Sequence, residues 1–354
     1  MQHKPRGLPT WKKIGFSILI CVSAALLLYL PCELTYRTVH RIPLRLFNRS
    51  LPEDPRTLSD SDASAMDFNS VHYYEIFRPS ANPILYYEPK PGFSKGAVQI
   101  NTHGFRDHEY SLKKPTGTTR IVVLGDSIIW GHRLVLSETF AKQLEALLNE
   151  RLDGHYEVLN FGVSGYSLQQ EVEQYISKAR QFDPDLAILG LCINDYLYSS
   201  IEGDFFAAQN GGLFSKSYLF NDLMVKVNYL LHHQFGVPQR YLEHIVDVRG
   251  QLERLQEASP NIPWLVLMFP QLQNVENYQA QREHQILTQP ARDLGFQVRD
   301  LLGDYRKFSR QPLGVDHIHP NRLGNKIAAE AAYDALVRSG IISPAEQAAD
   351  LEQD

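Results

Sequence analysis

The chain has 354 residues, and 44% of them are hydrophobic, which is enough for a full core and excludes a disordered protein. Residues 1–50 hold eight basic residues and one acidic residue, so the remainder carries 27 Lys and Arg against 39 Asp and Glu. A surface this acidic repels phosphate backbones, which excludes nucleic-acid binding as a main function. Three cysteines give neither a disulfide framework nor a CxxC metal pattern.

The first predicted element is an apolar helix over residues 14–30, preceded by a basic tail at 1–13. Its sequence, IGFSILICVSAALLLYL, has no charge and would extend about 26 Å, close to the thickness of a bilayer core. A cleaved signal peptide is the alternative, but no small-x-small cleavage site follows the helix. We therefore predict an uncleaved transmembrane signal-anchor. Basic residues lie on both sides of it, so charge leaves the orientation open, while the short N-terminus favours an extracytoplasmic main domain.

Two segments separate the predicted anchor from the main domain. Residues 31–70 are interpreted as a juxtamembrane segment and linker, because LPEDPRTLSDSDASAMDFNS is polar and rich in Ser, Asp and Pro. Residues 71–117 contain YYEPKPG and INTHGFRD, short strand-like pieces broken by Pro and Gly. This pattern predicts a small hairpin cap that packs against the following domain.

Residues 118–340 alternate apolar strand-like runs with helical patterns, which predicts a parallel sheet covered by helices on both faces. The predicted helices include TFAKQLEALLNERL and the last one, NRLGNKIAAEAAYDALVRSG, with Gly340 as its stop before a tail at 341–354. The predicted strands are IVVL (121–124), YEVLNF (156–161), DLAILGL (185–191), WLVLMF (264–269) and FQVRDL (296–301).

Residues 198–262 interrupt this alternation with aromatic and helix-like sequence. An insertion at this point would lie near strand ends, where it could form a lid or a substrate platform. Extra packing helices are the alternative, and the sequence does not decide between them.

Four polar clusters follow predicted strands, where an open parallel sheet binds its ligands. Each has an ordinary structural interpretation when taken alone, such as a helix cap or a turn. Together they supply a nucleophile, hydrogen-bond donors and an Asp/His pair in order along the chain. The clusters are Gly125-Asp126-Ser127, the loop from Asn160 to Gly165, Asn194-Asp195, and Asp316-His317-Ile318-His319.

These residues resemble the SGNH branch of the GDSL esterase and lipase family. GDSIIWG is similar to its first block, the Gly165 turn to its second, Asn194-Asp195 to its third and Asp316-x-x-His319 to its last. The resemblance covers roughly residues 119–340. It implies a flavodoxin-like three-layer α/β/α fold and the hydrolysis or transfer of an acyl group.

The chemistry of the residues agrees with this resemblance. Ser127 is a weak nucleophile until a base removes its proton, and His319 is the candidate base. Asp316 can accept the other imidazole N–H and so fix the tautomer. The oxyanion would be held by the backbone N–H groups of Ser127 and Gly165 and by the Asn194 side-chain amide. Asp126 is expected to order the turn by hydrogen bonding.

One residue departs from the family pattern. The third block usually has Gly two residues before its Asn, where this chain has Cys192. A thiol there could narrow the acyl site, or it could point into the core. His132 is a second candidate for substrate binding, and a surface position is its alternative. Asp316, His317 and His319 could bind a metal, but no further ligands cluster with them, so we predict neither a metal nor a cofactor.

The sequence therefore predicts a membrane-anchored serine esterase that cleaves a short acyl ester, most simply acetyl, on a small molecule or an envelope carbohydrate. Two alternatives remain open at this stage. An acyltransferase would use the same triad with a sugar hydroxyl in place of water. A non-catalytic glycan-binding or assembly protein could keep the fold, although it would have no need for Ser127, Asp316 and His319 together.

Overall fold

The computed structural model describes residues 73–82, 84–195 and 246–342, together with Cys32 and Thr35. The chain divides into two compact units, and the elements below belong to the unit formed by Asp54–Phe205 and Pro238–Asp354. Several predicted segments lie wholly or mostly outside the described residues: the 14–30 span, the 31–70 linker, most of the 198–262 insertion and most of the 341–354 tail. Within the described ranges, no helix is long and apolar enough to cross a bilayer.

Five parallel strands form the central sheet in the order β6-β5-β7-β8-β9. This is the flavodoxin-like order, and it confirms the predicted α/β fold. The strands are β5 (Thr118–Gly125), β6 (His155–Asn160), β7 (Leu186–Leu191), β8 (Trp264–Met268) and β9 (Gln297–Asp300). The order reverses between β5 and β7, so the crevice beyond these two strand ends is where such a sheet binds ligands.

Helices cover both faces of the sheet, because side chains alternate between the faces along each buried strand. In β5, Ile121 and Val123 pack on the side of the helices at Phe140–Arg151 and Arg322–Arg338, while Val122 and Leu124 pack on the opposite side. The helices in chain order are α2 (Ser127–Trp130), α3 (Phe140–Arg151), α4 (Leu168–Ser177), α5 (Val248–Ala258), α6 (Gln281–Asp293), α7 (Leu302–Arg306) and α8 (Arg322–Arg338). Three-residue and four-residue 3-10 turns span Leu136–Glu138 and Ala179–Phe182.

The sequence before the sheet forms two small antiparallel pairs. They comprise β1 (Phe77–Pro79) with β2 (Tyr87–Pro89), and β3 (Ser94–Lys95) with β4 (Val98–Gln99), after a short helix α1 (Tyr73–Ile76). Phe77 and Tyr87 pack with Trp130 of α2 and with Tyr166 of the loop after β6. The Tyr87 hydroxyl also donates to the Ser164 carbonyl at 2.9 Å. This segment therefore packs against the two loops that carry the first two polar clusters, Gly125–Ser127 and Asn160–Gly165.

Candidate active site

Ser127 lies at the point where β5 ends and the four-residue helix α2 begins. Asp126 caps this helix, since its carboxylate accepts the Ile128 backbone N–H at 2.9 Å, as the sequence led us to expect. Gly125 has φ +156°, and a Cβ there would fall 2.3 Å from Ile129 Cγ1. Only glycine allows the strand to turn this tightly into α2, so the turn presents the Ser127 hydroxyl at the edge of the sheet.

The loop after β6 packs directly against the nucleophile helix. Its backbone continues the sheet past the strand, with the Val163 N–H donating to the Gly125 carbonyl at 3.0 Å. Gly162 approaches α2 so closely that a Cβ would lie 2.3 Å from the backbone nitrogen of Trp130. Gly165 lies three residues further on, in a turn before α4. The second polar cluster therefore reaches the same edge of the sheet as Ser127.

Asn194 of the third cluster is held beside Asp126 by its side-chain amide. Asn194 Nδ2 lies 3.0 Å from Asp126 Oδ2 and must be the donor, because a carboxylate only accepts. Asn194 Oδ1 then faces Cys192 Sγ at 2.6 Å, so the thiol donates to it. Burial, together with the Asp126 and Asp195 carboxylates, raises the pKa of Cys192 well above its usual range, so the thiol keeps its proton.

The same contacts bear on the predicted substrate-binding role of Cys192. Its side chain is buried in the hydrophobic cluster on the α3 and α8 face of the sheet. This placement favours the alternative that Cys192 points into the core. Any effect of Cys192 on the reaction would then pass through the orientation of the Asn194 amide.

The last cluster brings His319 to Ser127 across 192 residues of sequence. His319 Nε2 lies 2.8 Å from Ser127 Oγ, and His319 Nδ1 lies 2.8 Å from Asp316 Oδ2. Because the carboxylate can only accept, the ring carries its hydrogen on Nδ1 and presents an unprotonated Nε2 to the serine. The structure therefore brings Ser127, His319 and Asp316 into one chain of hydrogen bonds.

Asp316 is held ionised by its own loop. Partial burial would raise the pKa of this carboxyl, but the backbone N–H groups of His319 and Ile318 and the His319 ring lower it well below its usual range. The two backbone N–H groups lie 2.8 and 2.9 Å from Asp316 Oδ1. A permanent negative charge at this position can stabilise a protonated His319 imidazole.

His132 packs against the His319 ring, with ring centroids 4.4 Å apart and a tilt of 37°. The backbone N–H of His132 donates to the Ser127 carbonyl at 3.1 Å, so the backbone that follows α2 is bonded to the nucleophile residue. Burial and the neighbouring His319 lower the pKa of His132 to about 4, so its ring is neutral at pH 7. The structure thus brings His132 to the site. His317 is exposed, and its carbonyl accepts the Leu272 N–H at 2.8 Å.

Beneath the site lies a group of buried carboxylates, Asp126, Asp195 and Glu171, each with no solvent exposure. Asp195 accepts the Cys192 N–H at 2.5 Å, and Asp126 accepts donors from α2 and Asn194. Neither carboxyl oxygen of Glu171 has a hydrogen-bond donor among the described residues. Burial and the charges of Asp195 and Asp126 raise the pKa of Glu171 well above its usual range, which favours its neutral form.

One residue that supports the site was missed by sequence reasoning. Arg106, which is 2% exposed, donates to the carbonyls of Trp130 and Gly131 at 2.7 Å each and also to the Leu134 carbonyl. It thereby satisfies the backbone at the end of α2, just before His132. The only sequence signal is its place in INTHGFRD, a motif assigned there to a cap and not to the site.

The comparison with known families agrees with this geometry. The sequence pattern of the GDSL-like lipase/acylhydrolase family matches residues 123–327, more than half of the chain. The chain belongs to this family. It is therefore an SGNH-type carboxylic ester hydrolase, as the ordered blocks predicted. The matched range begins within β5 and ends within α8, so it contains every residue of the Ser127, Asn194 and His319 clusters.

Solved structures similar to this GDSL-like hydrolase include three enzymes. An α/β hydrolase from the metagenome of Lake Arreo, Spain, is 16% identical, with a TM-score of 0.43, over 61% of this chain and 94% of that one. A catalytic mutant of an acetylxylan esterase from Geobacillus stearothermophilus is 13% identical, with a TM-score of 0.44, over 62% and 94%. A lipase/acylhydrolase from Enterococcus faecalis is 15% identical, with a TM-score of 0.40, over 64% and 98%. No curated protein sequence matches the chain.

Proposed function

We propose that this hydrolase is a membrane-anchored serine esterase that removes a short acyl group, most simply acetyl, from a carbohydrate through an acyl-enzyme on Ser127. The observation that carries the proposal is the continuous hydrogen-bond chain from Ser127 Oγ through the His319 ring to Asp316, with both links at 2.8 Å. A nucleophile, a base and an orienting carboxylate in this geometry are what acyl transfer requires.

The first half of the reaction forms the acyl-enzyme. Ser127 Oγ attacks the ester carbonyl carbon while His319 Nε2 takes the hydroxyl proton, and Asp316 stabilises the resulting imidazolium. The carbonyl oxygen becomes an oxyanion, which the Ser127 and Gly165 N–H groups and the second N–H of the Asn194 amide would stabilise. When the tetrahedral intermediate collapses, the carbon–oxygen bond to the sugar breaks and His319 returns the proton to the leaving hydroxyl.

The second half repeats these steps with water. His319 Nε2 takes a proton from water, the hydroxide attacks the acyl-enzyme carbonyl, and the acid leaves as Ser127 regains its proton. Removing any one oxyanion donor is expected to cost about 10²- to 10³-fold in kcat.

A covalent probe tests the nucleophile directly. The full-length protein should react with a fluorophosphonate at Ser127, and peptide mass spectrometry should locate the adduct there. Ser127→Ala should abolish both labelling and ester hydrolysis, whereas Ser137→Ala, in the nearby turn, should leave both unchanged. A folded wild-type protein that neither reacts with the probe nor hydrolyses p-nitrophenyl acetate would contradict the proposal.

A polar groove beside the His319 loop supports a carbohydrate substrate. The groove has a volume of about 570 Å³ and borders Asp316, which contacts His319. Amides and a hydroxyl, which suit the hydroxyl groups of sugars, alternate there with small apolar surfaces. Its lining includes Gln273, Gln311, Ser309, Leu272 and Pro312.

Substitutions in this groove separate glycan binding from chemistry. Gln273→Ala and Gln311→Ala should raise KM for acetylated oligosaccharides several-fold and leave kcat/KM for p-nitrophenyl acetate unchanged. Exposed Gln289, on α6, offers a matched Gln→Ala control away from the groove. Equal effects on both substrates would show that the groove does not bind the glycan.

Crowding beside Ser127 supports a short acyl group, because the His132 and His319 rings stack 4.4 Å apart next to the nucleophile. Comparing kcat/KM for acetyl, butyryl and octanoyl esters tests this, since the discrimination reflects differential binding of the transition state. A preference for octanoyl over acetyl would refute the short-chain proposal.

Membrane anchoring is supported by the uncharged sequence at 14–30, and we propose with it an extracytoplasmic main domain. Protease added to cells with a permeabilised outer layer should then digest residues 51–354. Protection of this part of the chain would show that the main domain has the opposite orientation. Recovery of the intact chain without detergent would contradict membrane anchoring.

A further inference from the structure

We propose that Tyr278, His284 and Asp300 form a positioning chain that supports the loop carrying the catalytic base. The first link joins Tyr278 Oη to His284 Nε2 at 2.8 Å, and the second joins His284 Nδ1 to Asp300 Oδ2 at 2.8 Å. The chain starts at the backbone N–H of Gln271, which lies 3.1 Å from Tyr278 Oη in the loop between β8 and α6.

The direction of each hydrogen bond in the chain follows from the charge of Asp300. Partial burial would raise the pKa of this carboxyl, but hydrogen bonds from the His284 ring and the Leu302 N–H lower it below its usual range, so Asp300 only accepts. His284 Nδ1 therefore carries the hydrogen, and His284 Nε2 accepts the Tyr278 hydroxyl. Burial raises the pKa of Tyr278 to about 12, so the hydroxyl keeps its proton and its oxygen accepts the Gln271 N–H.

The chain contains the same three groups as the catalytic triad, a hydroxyl, an imidazole and a carboxylate, but it is not a second nucleophilic site. Tyr278 is 7% exposed and His284 is 3% exposed, so neither is open to a substrate. Apolar side chains can replace such a buried polar pair, often with no loss of stability. The hydrogen bond that the chain makes to the backbone at Gln271 therefore indicates a role beyond packing.

The residue after Gln271 connects this backbone to the active site. The Leu272 N–H donates to the His317 carbonyl at 2.8 Å, two residues before the base His319. The Leu272 side chain also packs on the start of the base loop, since a Cβ on Gly314 would lie 2.8 Å from Leu272 Cδ1. Because the peptide bond is planar and stiff, a displacement of one N–H is passed to the next residue. The chain thus acts on the base through two consecutive backbone positions.

A second anchor on the same loop limits the size of the effect. Arg306 Nε donates to the Val275 carbonyl at 2.9 Å, and Ser309 Oγ donates to the Glu276 carboxylate at 2.7 Å. The loop therefore keeps part of its position when the Tyr278 hydroxyl is removed. The loss of activity should be about that of one hydrogen bond.

Kinetics of the full-length protein with p-nitrophenyl acetate test the positioning role. Tyr278→Phe should lower kcat about 3- to 10-fold and leave KM unchanged, because the base is displaced while the contacts to the substrate remain. Tyr175→Phe is the matched control, since its buried ring donates a hydroxyl to Ser259 Oγ at 2.6 Å between α4 and the end of α5. Both variants should lose a similar few degrees of Tm, and only Tyr278→Phe should lose kcat. A wild-type kcat in Tyr278→Phe, or an equal loss in both variants, would overturn the proposal.

Replacement of His284 separates the hydrogen bond from the packing. His284→Leu removes the acceptor and should lower kcat at least as much as Tyr278→Phe. His284→Gln places an amide oxygen near the position of Nε2, where it accepts the Tyr278 hydroxyl, and should recover most of the lost kcat. Equal kcat in the two His284 variants would show that the hydrogen bond has no role.

Hydrogen exchange measured by mass spectrometry gives a readout that needs no activity. In Tyr278→Phe, the backbone amides of residues 269–275 and 314–320 should exchange at least 3-fold faster than in the wild type, and Tyr175→Phe should leave both segments unchanged. Wild-type exchange of the 314–320 segment in Tyr278→Phe would overturn the proposal. Faster exchange of both segments in a protein that hydrolyses no ester would uphold the chain and refute only the function proposed above.

Discussion

The two halves of the active site are held in place by different forces. On the nucleophile side, Ser127 follows buried Asp126, and glycines at 125 and 162 leave no room for a Cβ. On the base side, the Asp316 side chain is 32% exposed, and its loop is ordered by local hydrogen bonds to Ile318 and His319. The nucleophile is therefore fixed mainly by close packing with distant segments. The base is fixed mainly by hydrogen bonds within its own loop, together with one from the Leu272 N–H to the His317 carbonyl. Substitutions on the nucleophile side should consequently lower both stability and activity, whereas substitutions on the base side should lower mainly activity.

The largest loss of stability and activity is expected on substitution of Gly162, where close packing leaves no space for a side chain. A Cβ there would lie 2.3 Å from the Trp130 nitrogen and 2.5 Å from the Ile129 carbonyl carbon. Gly162→Ala should lower the free energy of unfolding by about 3 kcal/mol or more and abolish activity, because a backbone must move. Thermal unfolding measures this. Gly303→Ala, where a Cβ meets nothing within 4 Å, is the control; equal stability of both variants would refute the packing argument.

Asp316→Asn should separate activity from stability. The amide cannot stabilise the imidazolium and favours the wrong His319 tautomer, so kcat should fall about 10³- to 10⁴-fold. Tm should change by only a few degrees because the side chain is partly exposed. Asp334→Asn, at a half-exposed side chain on α8, should leave kcat unchanged. A variant that lost stability and activity together would show that the base loop depends on packing as the nucleophile side does.

Arg106 tests whether the nucleophile side depends on polar as well as apolar contacts. Arg106→Met would remove the side-chain donor to the buried carbonyls of Trp130, Gly131 and Leu134, at a cost of about 3 kcal/mol or more. We expect a Tm lower by roughly 6 °C or more and a reduced kcat, because α2 carries Ser127. Arg151→Met, at an exposed ion pair with Glu330, should be near neutral. An unchanged kcat in stable Arg106→Met would remove Arg106 from the support of the site.

Cys192 contacts the nucleophile side through Asn194, whose amide donates to Asp126, and the replacement of Cys192 should have a moderate effect on activity. Cys192→Ala removes the donor to Asn194 Oδ1 and should lower kcat/KM about 3- to 10-fold, the value of one hydrogen bond. Cys192→Ser supplies a hydroxyl donor and should recover most of the loss. If Cys192→Gly instead gains activity on longer acyl esters, the thiol limits the acyl site directly and the orientation argument is wrong.

The smallest effect is expected for Glu171→Gln, and it depends on pH. The fold raises the pKa of Glu171, so above the unfolded value of about 4.3 the unfolded chain releases a proton that the folded chain keeps. Wild-type stability therefore falls as pH rises until the folded pKa is passed. Gln mimics the neutral acid and cannot titrate, so the Tm of the variant relative to wild type should increase between pH 5 and pH 9. A constant difference in Tm would show that Glu171 is ionised in the fold.

The sequence was sufficient for the order of elements and for the reactive residues. Buried strands have continuous apolar runs because both faces of a parallel sheet are covered, and the predicted strands agree with the five observed to within a few residues. Gly340 follows the last helix and has φ +71°, the left-handed conformation that ends helices. Ser127 and His319 were identifiable because polar clusters at strand ends are unusual in a core and because their order resembles a family pattern.

Only the tertiary structure decided what surrounds those residues. His132 lies five residues after Ser127, and nothing in its local sequence shows that it packs on a histidine from the other end of the domain. Arg106 and Glu171 act through carbonyls and carboxylates of distant segments, and Cys192 was open to two interpretations until its thiol was seen to face Asn194. Local sequence determines backbone preference and hydrophobic pattern, whereas hydrogen bonds and charge interactions between distant segments exist only after the chain has packed.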